Sequence, residues 1–262
     1  MTRETLRLAN PPIVEAVVDI EWDLPAKLDL SSAGNRLLAA LGSPYVTVQP
    51  TFAREEEVAV PVEGRSASVQ IVKSFQSFTA VQKVQSLRIL TADAKQLIQV
   101  RDRGYSFNRL QPYTTLDDYL PEIERTWNIC RSLATPVQLR AIRLRYINRI
   151  HLPMTERGVT LPEYLCVGPL LPDETLAFTG FLNEHSAVEL ATGNQARITL
   201  VTQPDDRTSL PIILDIETSD PKSRPIEDWI PIQEAILSLR SLADRIFRGT
   251  LTDKCLNLFQ QP

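Results

Sequence analysis

The chain has 262 residues, 43% hydrophobic and 23% charged, which is enough for a real core and too apolar for wholesale disorder. A net charge of -4 gives no global attraction to nucleic acid, and three widely spaced cysteines with no CxxC pair argue against a disulfide framework or a thiolate zinc site. The opening MTRETLRLANPP has no apolar run of signal-peptide type and no stretch reaches the ~18 apolar residues of a membrane span, so a soluble, cytoplasmic protein is expected.

Residues 13–22 read as a strand, with Val14, Ala16, Val18, Ile20 and Trp22 on one face and Glu15, Asp19 and Glu21 on the other. Ser31 and Ser32 offer N-cap hydroxyls for a helix carrying Leu37, Leu38 and Leu41, which stops at Gly42-Ser43-Pro44. Strands are predicted over 45–51, 57–62, 68–75, 78–84, 86–90, 96–101 and 105–110, with hairpin turns at 91–95 and 102–104. A long helix over 116–133, with Thr115 or Asp117 near its cap, ends before Pro136.

The same order then recurs. Residues 138–150 form a basic strand in the segment LRAIRLRYINRIH, with Ile142, Leu144 and Tyr146 on one face and Arg143, Arg145 and Arg149 on the other. A short helix over 160–166 follows, with Pro162 in its first turn. Strands over 176–183, 187–190, 196–202 and 211–218 come next, with a turn at 204–206. An amphipathic helix over 226–247, through Ile232, Ile236, Leu239, Leu242 and Ile246, closes the chain. The expected organisation is two β-α-β(n)-α halves, 1–135 and 136–262, packed as one unit. Their acidic and basic first strands would meet, each opposite-charge pair favouring register by roughly 0.2–1 kcal/mol.

The expected class is therefore α+β: a curved, mostly antiparallel sheet with helices on one face. That layout resembles the duplicated TATA-binding-protein architecture, and a likeness of fold carries no function.

Four segments occur in an order that resembles a known family: NPPIVEAVVDIEW (Asn10 to Trp22), GYSFNRLQPY (Gly104 to Tyr113) followed by Trp127, RLRYINRIHLP (Arg143 to Pro153) and SLADRIFRGTLTDK (Ser241 to Lys254). Together they look like a bacterial family described only as a sporadically distributed protein of about this length. The resemblance spans nearly the whole chain, with RYINRI its most specific piece. It implies no activity, cofactor or catalytic residue; patchy distribution is typical of horizontally moving genes, including defence and toxin–antitoxin cargo. A histidine expected in the closing helix is absent from Leu239-Arg240-Ser241.

Site candidates are few. His151, at the end of the basic strand and near Tyr146 or Asn148, and His185, in a polar turn, are the only histidines available as a general base or ligand. Glu15, Asp19, Asp215 and Glu217 would need to converge to bind a divalent cation, and ion pairing with Arg143 and Arg145 competes with that. Cys166 is expected to be packed rather than reactive. There is no GxSxG turn or GxxxxGKS loop, and 9 glycines against 19 prolines disfavour a phosphate cradle. An arginine surface of Arg101, Arg103, Arg109, Arg140, Arg143, Arg145 and Arg149, with Tyr105, Phe107 and Tyr146 as stacking platforms, is the nucleic-acid alternative. Tyr113, Trp127 and Trp229 are expected to be packing residues.

The leading expectation is a non-enzymatic binding or regulatory module that acts through a protein partner encoded nearby, in a mobile defence or toxin–antitoxin-like locus, or through self-association as a homodimer. Its binding residues are expected to be Glu15, Asp19, Arg109, Arg143, Arg145, Asn148 and Arg149, with no metal or cofactor. The other alternative is a hydrolase with a carboxylate/histidine site. The apolar tail LTDKCLNLFQQP must either fold back or cover a neighbour.

Overall fold

Alternation of apolar and polar residues makes the opening segment a strand, β1 (Ile13–Asp23), with Ala16, Val18, Ile20 and Trp22 buried on one face. It belongs to a computed structural model that describes residues 8–25, 28–52, 84–156, 158–169, 171–173, 175–176, 178–204, 208–226 and 228–260. Helix α1 (Leu30–Leu41) follows. Its cap is the Asp29 carboxylate, which accepts from the Ser31 amide at 3.1 Å, and neither expected serine hydroxyl fills that role. The helix ends at Gly42, whose φ of +61° suits a residue without Cβ.

Strands β2 (Tyr45–Phe52), β3 (Val84–Thr91), β4 (Gln96–Arg101) and β5 (Gly104–Leu110) lead to helix α2 (Leu116–Ala134). The strands expected at 57–62 and 68–75 lie outside the described residues, as does all of 78–84 except Val84. The second half runs β6 (Gln138–Pro153), β7 (Leu182–Val188), β8 (Gln195–Thr202), β9 (Ser209–Asp220), α3 (Trp229–Thr250) and α4 (Asp253–Asn257).

The helix expected over 160–166 is only a 3-10 turn, Leu161–Glu163, because Leu165 is drawn into a bridge with Leu251 and the Cys166 amide donates to the Thr250 carbonyl at 2.8 Å. The strands expected at 176–183 and 187–190 are one strand, β7, held in continuous register with β8 from Leu182 opposite Val201 to Val188 opposite Gln195. Leu190 instead sits in the tight turn closed by Gly193 (φ +79°).

Among the described residues the nine strands form one antiparallel, unclosed sheet in the order β2-β3-β4-β5-β1-β6-β9-β8-β7. The first strands of the two halves meet at its centre, with Val18 opposite Leu144 and Asp19 opposite Arg143. The buried row Ile89–Ile98–Phe107–Val18–Leu144–Thr218 crosses from β3 to β9, and helices cover that face. Helix α1 lies over β2 and β3, α2 against α1 and β5, and α3 over β6 and β9. Trp127 of α2 reaches Trp22 of β1 at 5.6 Å between ring centroids and meets Tyr105 of β5 edge-on at 5.7 Å. The Tyr105 hydroxyl lies 2.6 Å from that of Thr126, so this aromatic cluster is buried without an orphaned polar group.

Candidate functional site

The uncovered face of the sheet carries the charges, in rows fixed by strand register. One row places Asp19 of β1 between Ser106 of β5 and Arg143 of β6. Arg143 donates to Asp19 at 3.2 Å and to Glu21 at 2.6 Å, while Arg101 of β4 reaches Asp19 from the other side. Gly104 makes that reach feasible. A Cβ there would lie 2.9 Å from the Ile20 carbonyl oxygen and 3.0 Å from the Arg101 guanidinium.

The neighbouring row holds Arg145, Glu217 and Arg197 on β6, β9 and β8. Arg145 forks onto Asp215 at 2.8 and 2.5 Å, and Arg197 pairs with Glu217 at 3.2 Å. Glu15 accepts from the Asn108 amide at 2.7 Å. For Arg143 loss of water is the largest single effect and lowers the pKa, but Glu21 and Asp19 together outweigh it and raise it. For Arg145 the hydrogen bonds to Asp215 raise it against the loss of water. The expected pairing thus holds for Arg143, whereas Arg145 lies opposite Val17 and turns to β9. Arg149 is exposed further along β6 with no carboxylate partner among the described residues. Glu15, Asp19, Asp215 and Glu217 are each engaged by an arginine or asparagine, and no cluster of three or more His, Cys, Asp or Glu able to hold a metal occurs among the described residues.

Other expected site residues are separated by the alternation of the strands. Asn148 points to the helical side, 2% exposed, and donates to the Leu214 carbonyl at 3.0 Å. Arg109 also faces the helices, with its guanidinium carbon 5.2 Å from the ring centre of Tyr119 of α2. The arginine surface imagined for nucleic acid therefore loses Arg109, and its platforms Tyr105, Phe107 and Tyr146 are core residues. His151 lies across the sheet from Asn148, its ring Nδ1 3.0 Å from the Ser209 hydroxyl, and His185 is within β7 rather than in a turn. Cys166 is exposed, not packed, because the short turn leaves it at the surface; Cys130 and Cys255 are buried, and loss of water pushes both thiols up to about 12.

A second feature lies on the helical side, where Tyr113, expected to pack, and Asn148, expected to bind a partner, come together. A cleft of about 590 Å³ opens between the start of α2 and the second half of α3. Its floor is Tyr146 and Asn148, and its rim is the segment Leu8–Ile13. The Tyr113 and Tyr146 hydroxyls are 3.4 Å apart, with their rings edge-to-face at 5.9 Å. Arg240 of α3 donates to Asp117 of α2 at 2.8 Å across the cleft. Loss of water raises the pKa of Asp244, against the opposing pull of Arg240 and Arg248. Burial likewise raises both tyrosines well above their ordinary value.

No family model matches the chain, and no curated protein is significantly similar to it.

Proposed function

We propose that this protein is a non-enzymatic binding or regulatory module that acts through a protein partner seated on the open face of the sheet. The observation that carries this reading is the face itself: the helices lie on the other side, and Arg101, Arg143, Arg145 and Arg197 are paired with carboxylates. Such mixed charge can re-form its pairs across a protein interface, whereas a phosphate backbone calls for uncompensated cations. The resemblance to the sporadically distributed bacterial family supports a partner encoded nearby in a mobile locus. Strand order supports an internal duplication with a TATA-binding-protein-like layout, since β2-β3-β4-β5-β1 and β6-β9-β8-β7 each end on their first strand at the centre. Self-association is the second partner reading, supported by the β7 edge with Leu182 70% and Val188 56% exposed.

The test is affinity purification from the native host with the wild-type chain, the open-face variants Arg88→Glu (exposed on β3, between the inward-facing Leu87 and Ile89) and Arg197→Glu, and Ser241→Glu on the exposed side of α3 as control. A protein that is retained by the control and lost with the open-face variants is the expected result. Loss with all variants or with none rejects the face as the contact. Co-eluting nucleic acid would favour the nucleic-acid alternative instead.

A further inference from the structure

The cleft between α2 and α3 lies across the sheet from the proposed partner face and has the make-up of a ligand site. Its volume of about 590 Å³ is within the roughly 300–1,000 Å³ of small-molecule pockets. We propose that it binds a small organic cation, an amine carried on an apolar or aromatic body.

Charge and hydrogen bonding both select the amine. Arg240 is committed to Asp117, which leaves Asp244 as the carboxylate of the lining to be matched. Asp244, on the α3 wall, accepts no hydrogen bond from a described residue, although Arg240 and Arg248 act on it through space. It has lost water without gaining a donor among the described residues, and an ammonium group would supply N–H donors and opposite charge at once. Tyr113, Tyr146 and Phe247 line the same space, and aromatic rings attract a cation through their quadrupoles. Leu8, Pro11 and Pro12 offer an apolar rim for the rest of the molecule. A carboxylic acid of the same shape would bring a second negative charge against Asp244. A neutral apolar ligand would strip Asp244 of remaining water with nothing in return.

Titration calorimetry on the full chain tests this with tryptamine and phenethylamine, beside the shape-matched acids indolepropionate and phenylpropionate. At least one amine should bind saturably and neither acid should. Asp244→Asn, which removes a desolvated charge and should keep the fold, is expected to weaken amine binding by about tenfold or more. Ala243→Trp should fill the space and abolish it. Amine affinity should also fall as the pH is lowered and Asp244 takes up a proton. Binding of an acid as tight as that of its amine, an Asp244→Asn affinity within about twofold of wild type, or no amine binding at about 5 mM would overturn the proposal. If Ala243→Trp fails to fold by circular dichroism, the acid comparison and Asp244→Asn decide.

Discussion

At the scale of single residues, the open face shows how register turns sequence charge into geometry. Arg145 donates twice to Asp215, whose side chain is only 16% exposed, so Arg145→Glu places two carboxylates together where water screens them poorly. That substitution is expected to cost about 1–3 kcal/mol in urea unfolding. Adding Asp215→Arg should return part of the loss in a double-mutant cycle, and strictly additive effects would contradict the pairing. Asp244 titrates in the opposite sense to a salt-bridged carboxylate. With its folded pKa raised above 3.8, the native state binds more protons than the unfolded chain in the window above that value. Stability should therefore fall as pH rises through that window, and Asp244→Asn should flatten the slope and raise stability at neutral pH. Of the thiols, only Cys166 is exposed, and Cys130 and Cys255 are buried with pKa values near 12. A thiol-specific chromogenic reagent at neutral pH should label Cys166 quickly and the other two only after denaturation.

At the scale of elements, capping and tail packing decide where the chain stops and turns. Arg125 of α2 holds Glu122 at 2.7 Å and also donates to the Leu41 carbonyl at 3.0 Å, so one helix closes the C-terminal end of another. The apolar tail folds back on its own chain. Phe259 is buried against Phe247 at 6.2 Å between ring centres, and its carbonyl accepts from the Asn10 amide at 2.9 Å. The tail thereby fastens the segment that forms the rim of the cleft. Phe259→Ala is expected to cost about 3 kcal/mol and to speed hydrogen exchange at the Asn10 amide. Unchanged exchange there would show that the segment is held by other contacts.

At the scale of the whole molecule, β1 and β6 form the seam. β1 pairs with β5 on one side and β6 on the other, and Arg131 of α2 donates to the Ile226 carbonyl at 2.9 Å across the two halves. Fragments 1–135 and 136–262 produced separately are expected to show weak near-ultraviolet circular dichroism and to regain it on mixing. Independent folding of either would contradict a fold that depends on the shared sheet. No helix among the described residues is long and apolar enough to cross a membrane. For self-association through the β7 edge, light scattering should give twice 29.5 kDa for the wild type and the single-chain mass for Ser186→Pro, which disrupts an edge.

Much of the fold was legible because burial on one face imposes a period that a single strand or helix displays on its own. The alternation of Ala16, Val18, Ile20 and Trp22, the run through Ile232, Ile236 and Leu239, and the acidic-to-basic match of Asp19 with Arg143 all follow from that. Where periodicity was weak the reading failed: β7 is exposed along nearly its whole length, so nothing in its pattern marked its ends. The choice of partner was also hidden. Arg145 takes Asp215 rather than a β1 carboxylate because β6 has a neighbour on each side, and only the sheet order says which side chain is nearer. The cleft was the least legible feature. Asn148 and Tyr146 from β6, Tyr113 from the loop before α2, Asp117 from the first turn of α2, and Arg240 and Asp244 from α3 meet only in the folded chain. The sequence by itself determined the amphipathic elements and the charge of each strand face, because those depend on neighbours two to four residues away. Only the tertiary structure decided which charges pair and which side chains share a cavity, because those distances are set by packing between segments remote in the chain.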